Sequence, residues 1–464
     1  MKAGYLWLAS FGLFPLAGWP LLAHASYRRF FLPSRIGLAF TTGAVLVSGW
    51  MTVFALAGVR WQPAVLVALA AATAFLLRRA LTPERENVPA ASEKIAAGVL
   101  ERSPLLLAAI SVAAVFAASF SAAATSPDLL LFWGPKAQAF GAAGTIDAAF
   151  LRNPDLLYMH PSYPPLVTNL LAFATQIAGR LPWGAATLTL PALLAVLALA
   201  LPGALALTAP RRLAWAASAL VVATLGYLGN ALSIAGNADP WLWAFEILAM
   251  AILIGPAALT RAGQLLAGLL LAGAVTAKVE GLLFALAAVA LFLLLRRKEI
   301  RIGGALVLLL APSAISLGAW FLFEAARHVF FGFEQYGRFL DVHWDRLPLV
   351  LSAIGRGFWS AGRALPFLLP LAALLLAPSR PRLLWLPVGA SLVLCLFSVF
   401  TYLHGDPDPS NWIGWSAGRL FSEIPAFLTI AAICGSPERL PVRVRAPFGE
   451  PGETHRRPHP PRSA

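Results

Sequence analysis

Apolar runs of about 20 residues recur along most of this chain, and each can cross roughly 30 Å of hydrocarbon. A chain of this kind folds in lipid, where backbone N–H and C=O groups must bond within a helix or around a closed barrel. The runs are solid apolar blocks and do not alternate in polarity, which excludes a membrane β-barrel. Composition points the same way: 59% of the residues are apolar and 12% charged, against a usual apolar share of about 45–50% with glycine included. An ordinary soluble enzyme is excluded, and the expected fold class is an all-α polytopic membrane protein.

Spans are expected near residues 4–23, 36–57, 63–78, 104–124, 183–207, 213–230, 240–256, 263–277, 281–296, 302–324, 349–377, 383–403 and 415–434, about thirteen in all. The formal net charge of +14 does not indicate nucleic acid. The arginines lie between apolar blocks and in one tail, where they act as topology signals facing an anionic leaflet. With the amino end outside, the inside segments hold most of the 35 basic residues, including Arg28, Arg29, Arg78, Arg79, Arg211, Arg212 and the run Arg296 to Arg301. The first segment, with Lys2 before it and Ala23-His24-Ala25 after it, imitates a signal peptide. Gly12, Pro15, Gly18 and Pro20 interrupt it, and its strongest charges follow it, so it reads as a retained helix.

Residues 162–178 are apolar too, but a crossing there would invert every later loop. They are expected as a helix lying at the outer surface, within a large external loop over 125–182 that carries interfacial helices. Residues 82–103 mix both charge signs with proline and read as a cytoplasmic connector. The expected organisation is therefore three leading helices and the connector over 1–103, a main transmembrane region over 104–434, and a disordered basic tail over 435–464. Cys395 and Cys434 lie in apolar segments and say nothing about redox compartment.

Charge at membrane depth is costly, so ionisable residues gathered at one end of several helices are functional candidates. The drawn topology collects such a set on the outer side. Asp128 and Lys136 lie in Thr125-Ser-Pro-Asp-Leu-Leu-Leu-Phe-Trp-Gly-Pro-Lys-Ala, Asp239 opens a helix in Gly236-Asn-Ala-Asp-Pro, and Lys278 and Glu280 occupy a tight turn. Each also has a plain reading. Asp239 before Pro240 suits a helix cap, Lys278 and Glu280 can pair with each other, His160 can cap a surface helix, and Arg419 can snorkel to headgroups. No Walker loop, dinucleotide fingerprint, HExxH or paired-cysteine motif is present. Asp406 and Asp408 have the spacing of a metal-binding DxD, which is equally the pattern of an exposed Asp-Pro turn. A divalent cation stays open as cofactor, and no metal ligand is assigned.

At these residues the chain resembles the GT-C glycosyltransferases, polytopic enzymes that take sugars from polyprenyl-phosphate carriers, and within them the bacterial aminoarabinose and protein-mannose transferases. Asp128-Leu-Leu-Leu-Phe-Trp-Gly-Pro-Lys-Ala is similar to the family's first external loop, and His160-Pro-Ser-Tyr-Pro-Pro-Leu to its HPxYP-type turn. Gly236-Asn-Ala-Asp-Pro is similar to its xADxP motif, Thr276-Ala-Lys-Val-Glu-Gly to its TKxEG turn, and Trp415-Ser-Ala-Gly-Arg-Leu to its late arginine motif. The order of motifs covers residues 104–434, with Asn237 standing where the family often has an aromatic. The resemblance implies a GT-C-like bundle in the bacterial inner membrane with its active site facing outward. It implies a polyprenyl-phosphate-linked sugar as donor and a lipid, glycan or protein as acceptor, with membrane lipids but no nucleic acid as further partners. Asp128 is the expected general base, with Asp239 assisting. Lys136, His160, Tyr163, Lys278, Glu280 and Arg419 are expected to bind substrate.

The rival reading is a transporter or flippase in which Asp239, Glu246 and Lys278 line a path through the bundle. Glu246, inside a span, fits that reading and has no place in the transferase one.

Overall fold

A computed structural model describes residues 2–81, 99–121, 126–228, 234–329, 342–360, 364–375, 382–404 and 409–434. Most of the connector, Asp406, Asp408 and the tail from 435 lie outside the described residues. Among the described residues every regular element is helical. Eight helices are long and apolar enough to cross a membrane: Lys2–Leu22, Leu32–Leu56, Pro63–Ala80, Ser103–Phe120, Trp183–Leu205, Ile302–Arg327, Arg382–Leu403 and Ser416–Ile433. The chain is an all-α membrane protein. Four more expected spans form shorter or less apolar helices: Arg211–Leu228, Asp239–Ile254, Arg261–Ala277 and Glu280–Arg296.

The leading helices belong to the same core as the helices that follow the connector. Leu13–Leu22 lies against Leu32–Leu56 at backbone contact, because a Cβ on Gly18 would overlap the Ala39 carbonyl and one on Gly43 the Phe14 carbonyl. Small residues permit this approach, which in lipid is driven by packing. Phe14 then meets Phe40 and Phe173, each with ring centroids 5.6 Å apart. Trp241, two residues into the Asp239–Ile254 helix, stacks on both Phe11 and Phe40 at 6.2 and 6.1 Å. Gly43→Ala is expected to lower the melting temperature in detergent, reflecting an overpacking cost of about 1–3 kcal/mol. Gly49→Ala on the same helix, where a Cβ meets open space, is the control and leaves the melting temperature unchanged.

Two expectations are corrected. Residues 162–178, expected as a surface helix, form the helix Leu166–Ala178, whose residues from Leu166 to Thr175 are all buried. At 13 residues it extends only about 20 Å, too short to span, but protein covers it. Asn169 explains the placement: its side-chain amide donates to Ser48 Oγ at 3.2 Å and Thr52 Oγ1 at 3.1 Å on the Leu32–Leu56 helix. Residues 349–377, expected as one span, form Leu347–Ser360 and Leu365–Leu375. The first is amphipathic, with Val350 and Ala353 packed against Ile413 and Ala417. The Gly355-Arg356-Gly357 stretch interrupts its apolar run. The last expected span is present as Ser416–Ile433, with a turn at Phe421 and Ser422 between the helices Pro409–Leu420 and Glu423–Cys434.

Candidate active site

Helix ends from distant parts of the chain enclose a cavity of about 480 Å³, counted with its open mouth. Its lining includes Asp128, Lys136, His160, Tyr163, Asp239, Lys278 and Arg419, together with Phe132, Trp133 and Met159. Seven of the eight residues singled out in the sequence thus meet in one place, and the eighth, Glu280, lies directly behind Lys278.

Asp128 leads into one wide π-helical turn, Leu129–Trp133, before the regular helix Gly134–Ala143. Pro135 lacks the N–H that a continuous α-helix would use here, and such bulges re-aim side chains. Gly134 is required because a Cβ would overlap the Trp183 ring. The turn brings Phe132, Trp133 and Lys136 to the cavity on the same side as Asp128.

Lys136 is 3% exposed. Its ammonium lies 4.6 Å from the Trp133 ring centroid and donates to the His160 carbonyl at 3.4 Å. Burial pulls its pKa down to about 7, because no carboxylate offsets the lost hydration. His160 does not cap the Leu166–Ala178 helix. It ends the Pro154–Met159 turn in the left-handed region at φ 52°, and its ring packs on Phe132 and Tyr163 at 5.4 and 5.1 Å. Tyr163 also meets the Trp133 ring edge-on at 5.8 Å.

The opposite wall is an ion-pair network. Asp239 begins its helix beside Pro240, and its carboxylate makes no capping bond; it accepts from Lys278 Nζ at 2.9 Å. Lys278, extended between the Arg261–Ala277 and Glu280–Arg296 helices, also pairs with Glu280 at 3.1 Å. Arg419 points inward: its Nη1 pairs with Asp128 Oδ2 and stands 3.7 Å from Asp239 Oδ2. Burial opposes ionisation of Asp239, but Lys278 and Arg419 outweigh it and hold the carboxyl below its ordinary range. Burial likewise opposes the charge on Lys278, and Asp239 with Glu280 reverses that and holds the ammonium well above its ordinary value. Preorganised charges in so dry a setting act with little screening.

Sequence reasoning noted Asn237 only as a departure from a motif. It is 1% exposed, its side-chain oxygen accepts the Asp239 backbone N–H at 3.0 Å, and its amide donates to Asp128 Oδ2 at 3.4 Å. The signal was present, since asparagine two residues before a helix start commonly bonds the backbone in this way. Glu423 was also missed. It lines a smaller neighbouring cavity of about 280 Å³ that shares Asp239 and Arg419 with the first and continues past Glu280, Leu394 and Phe397. Glu246 lines neither cavity, and among the described residues neither of its carboxylate oxygens has a hydrogen-bond partner.

Among the described residues no three His, Cys, Asp or Glu side chains are grouped so as to hold a metal ion, and Asp406 and Asp408 fall outside them. The described lining consists of carboxylates, cations and aromatic rings with Met159 and Ala238. It offers two carboxylates, Asp128 and Asp239, beside a space flanked by Lys136, Lys278 and Arg419, and of the two Asp128 is the more exposed. No protein-family model, curated protein or solved structure matches this chain.

Proposed function

We propose that this protein is a GT-C-like glycosyltransferase of about thirteen transmembrane helices, set in the bacterial inner membrane with the cavity facing outward. It moves a sugar from a polyprenyl-phosphate carrier to an acceptor hydroxyl on a lipid, glycan or protein. The observation that carries this reading is the convergence of five short segments, from Asp128 to Arg419, on one cavity with two carboxylates beside three cations.

In this mechanism the acceptor oxygen attacks the anomeric carbon as Asp128 takes the hydroxyl proton. The new C–O bond forms opposite the breaking bond to the phosphate oxygen, which leaves with the electron pair, and the anomeric configuration inverts. Lys136, Lys278 and Arg419 stabilise the charge that grows on the departing phosphate, as preorganised groups in a poorly hydrated cleft do. The carrier phosphate competes with Asp128 and Asp239 for Arg419 and so frees the base when the donor arrives. His160, Tyr163 and Trp133 supply ring faces for the sugar, and no nucleotide fold is required because the donor is already activated. Residues 104–434 supply this machinery, while the leading helices over 1–103 supply packing.

The test is to incubate protein in lipid nanodiscs with radiolabelled polyprenyl-phosphate sugars and membrane-extract acceptors, and to follow label leaving the carrier. Release that requires Asp128 supports the transferase. Carrier that crosses vesicle membranes with its sugar intact supports the flippase reading, which the partnerless Glu246 favours.

Lys136 gives a second test. Its pKa of about 7 means that the ammonium is present below that pH and lost as pH rises through it. Affinity for an isoprenyl phosphate should therefore fall with rising pH above about 7, by at most about tenfold per unit. Lys136→Arg, which stays charged, should flatten the profile. Equal pH dependence in the two proteins, measured with tritiated isoprenyl phosphate, would remove Lys136 from phosphate binding.

A further inference from the structure

Asp128 Oδ2 receives two donors, Arg419 Nη1 and Asn237 Nδ2. Among the described residues no hydrogen bond is made to its other oxygen, Oδ1, although Asp128 lines the cavity. The two bonds thus divide the carboxylate into a held oxygen and a free one. Asn237 reaches Asp128 because Gly236, at φ 83°, turns the chain against Leu129, the residue after Asp128; a Cβ on Gly236 would stand 2.8 Å from Leu129 Cδ2. The same amide fixes the start of the Asp239 helix through its oxygen. One neutral, buried side chain therefore ties the Asp128 carboxylate to the backbone at the start of the Asp239 helix and adds no charge.

We infer that Asn237 is a positioning residue that pins Asp128 through Oδ2, so that Oδ1 is the oxygen presented to the acceptor proton. The inference rests on the transferase reading for its chemistry, but the geometry it describes does not depend on that reading. Arg419 alone cannot serve, because it is shared with Asp239 and is the group that the carrier phosphate claims. Asn237 stays on Oδ2 when Arg419 turns away, and keeps the base oriented during the step that needs it.

Asn237→Asp and Asn237→Ser separate the two roles of the side chain. Both retain an oxygen able to accept the Asp239 N–H; the Asp carboxylate has no N–H to give Asp128, and the Ser hydroxyl, though a donor, is too short to reach where the Asn237 amide stands at 3.4 Å. Asp also places a like charge next to the base, which disfavours its ionised form. Arg419, Asp239, Lys278, Lys136, His160 and Tyr163, the other titratable groups around the cavity, are unchanged in both variants. Expected results are a fall in kcat of at least about tenfold in both variants, with KM for the carrier changed less. The acidic limb of the pH–rate profile moves to higher pH in Asn237→Asp and much less in Asn237→Ser. Wild-type kcat and an unmoved limb in Asn237→Asp would overturn the inference.

A readout independent of turnover keeps the two claims apart. Infrared difference titration, with Asp128→Asn identifying the Asp128 carboxyl band, should show that band titrating at higher pH in Asn237→Asp than in wild type. If wild-type protein releases no sugar from any carrier but the band moves, the transferase reading fails and the positioning role stands. If transfer is found and the band does not move, the positioning role fails alone.

Discussion

Asp128→Asn should lower sugar transfer by about 10²–10⁴, the usual worth of a positioned general base, while the protein folds and still binds its carrier. The amide has the shape of the carboxylate but cannot accept the acceptor proton. Folding should survive because Arg419 keeps Asp239 as a partner at 3.7 Å and the mouth of the cavity admits water. Carrier binding should hold or tighten, since Arg419 no longer has Asp128 competing with phosphate for its guanidinium. Turnover in single-turnover assays measures the loss, and tritiated isoprenyl phosphate measures the binding. Wild-type-like turnover would end the assignment of Asp128 as base, and joint loss of turnover and binding would make it a structural anchor.

Lys278→Met should have the largest effect on stability. Lys278 holds two carboxylates, Asp239 at 2.9 Å and Glu280 at 3.1 Å, and the Asp239 side chain is only 4% exposed. Methionine fills the space of the lysine stem and removes the charge, leaving Asp239 with only the more distant Arg419. Breaking a buried pair on one side typically costs about 3–5 kcal/mol. Thermal unfolding in detergent should show a fall of the melting temperature well beyond that of Gly43→Ala. Adding Asp239→Asn to Lys278→Met should recover much of the loss by removing the stranded charge. A double variant no more stable than the single one would show that the damage is to packing.

The charged residues of the site were legible because charge at membrane depth is expensive, so Asp128, Lys136, Asp239, Lys278 and Arg419 stand out against an apolar chain. Their grouping at helix ends followed from the same cost combined with topology. Asn237 was not legible as a positioning group because a neutral amide carries no such signal. Its part depends on the turn at Gly236 and on Leu129, far away in sequence. Glu423 escaped notice because hydropathy averages over the turn at Phe421 and Ser422 that separates it from the Arg419 helix. The same averaging joined Leu347–Ser360 to Leu365–Leu375. The segment 162–178 was kept from crossing by the charge of the later loops, but the neighbours of Leu166–Ala178 were not foreseen. An apolar face says that water is avoided and does not say whether lipid or protein replaces it. Here polar contacts make that choice: Asn169 on the Ser48 and Thr52 hydroxyls, Thr175 on the Trp7 indole and Gln176 on the Trp61 carbonyl.

That interior helix has a consequence for the order in which the protein is made. Asn169 finds its partners 121 and 117 residues earlier in the chain, in a helix that has left the ribosome well before Leu166 is synthesised. Because chains emerge from the amino end and early parts begin to fold first, the Leu13–Leu22 and Leu32–Leu56 pair is already assembled when the segment carrying His160 and Tyr163 appears. The leading helices are thus available as an internal template: the surface that receives the later segment, with the Ser48 and Thr52 hydroxyls on it, is synthesised before Lys278 or Arg419 exists.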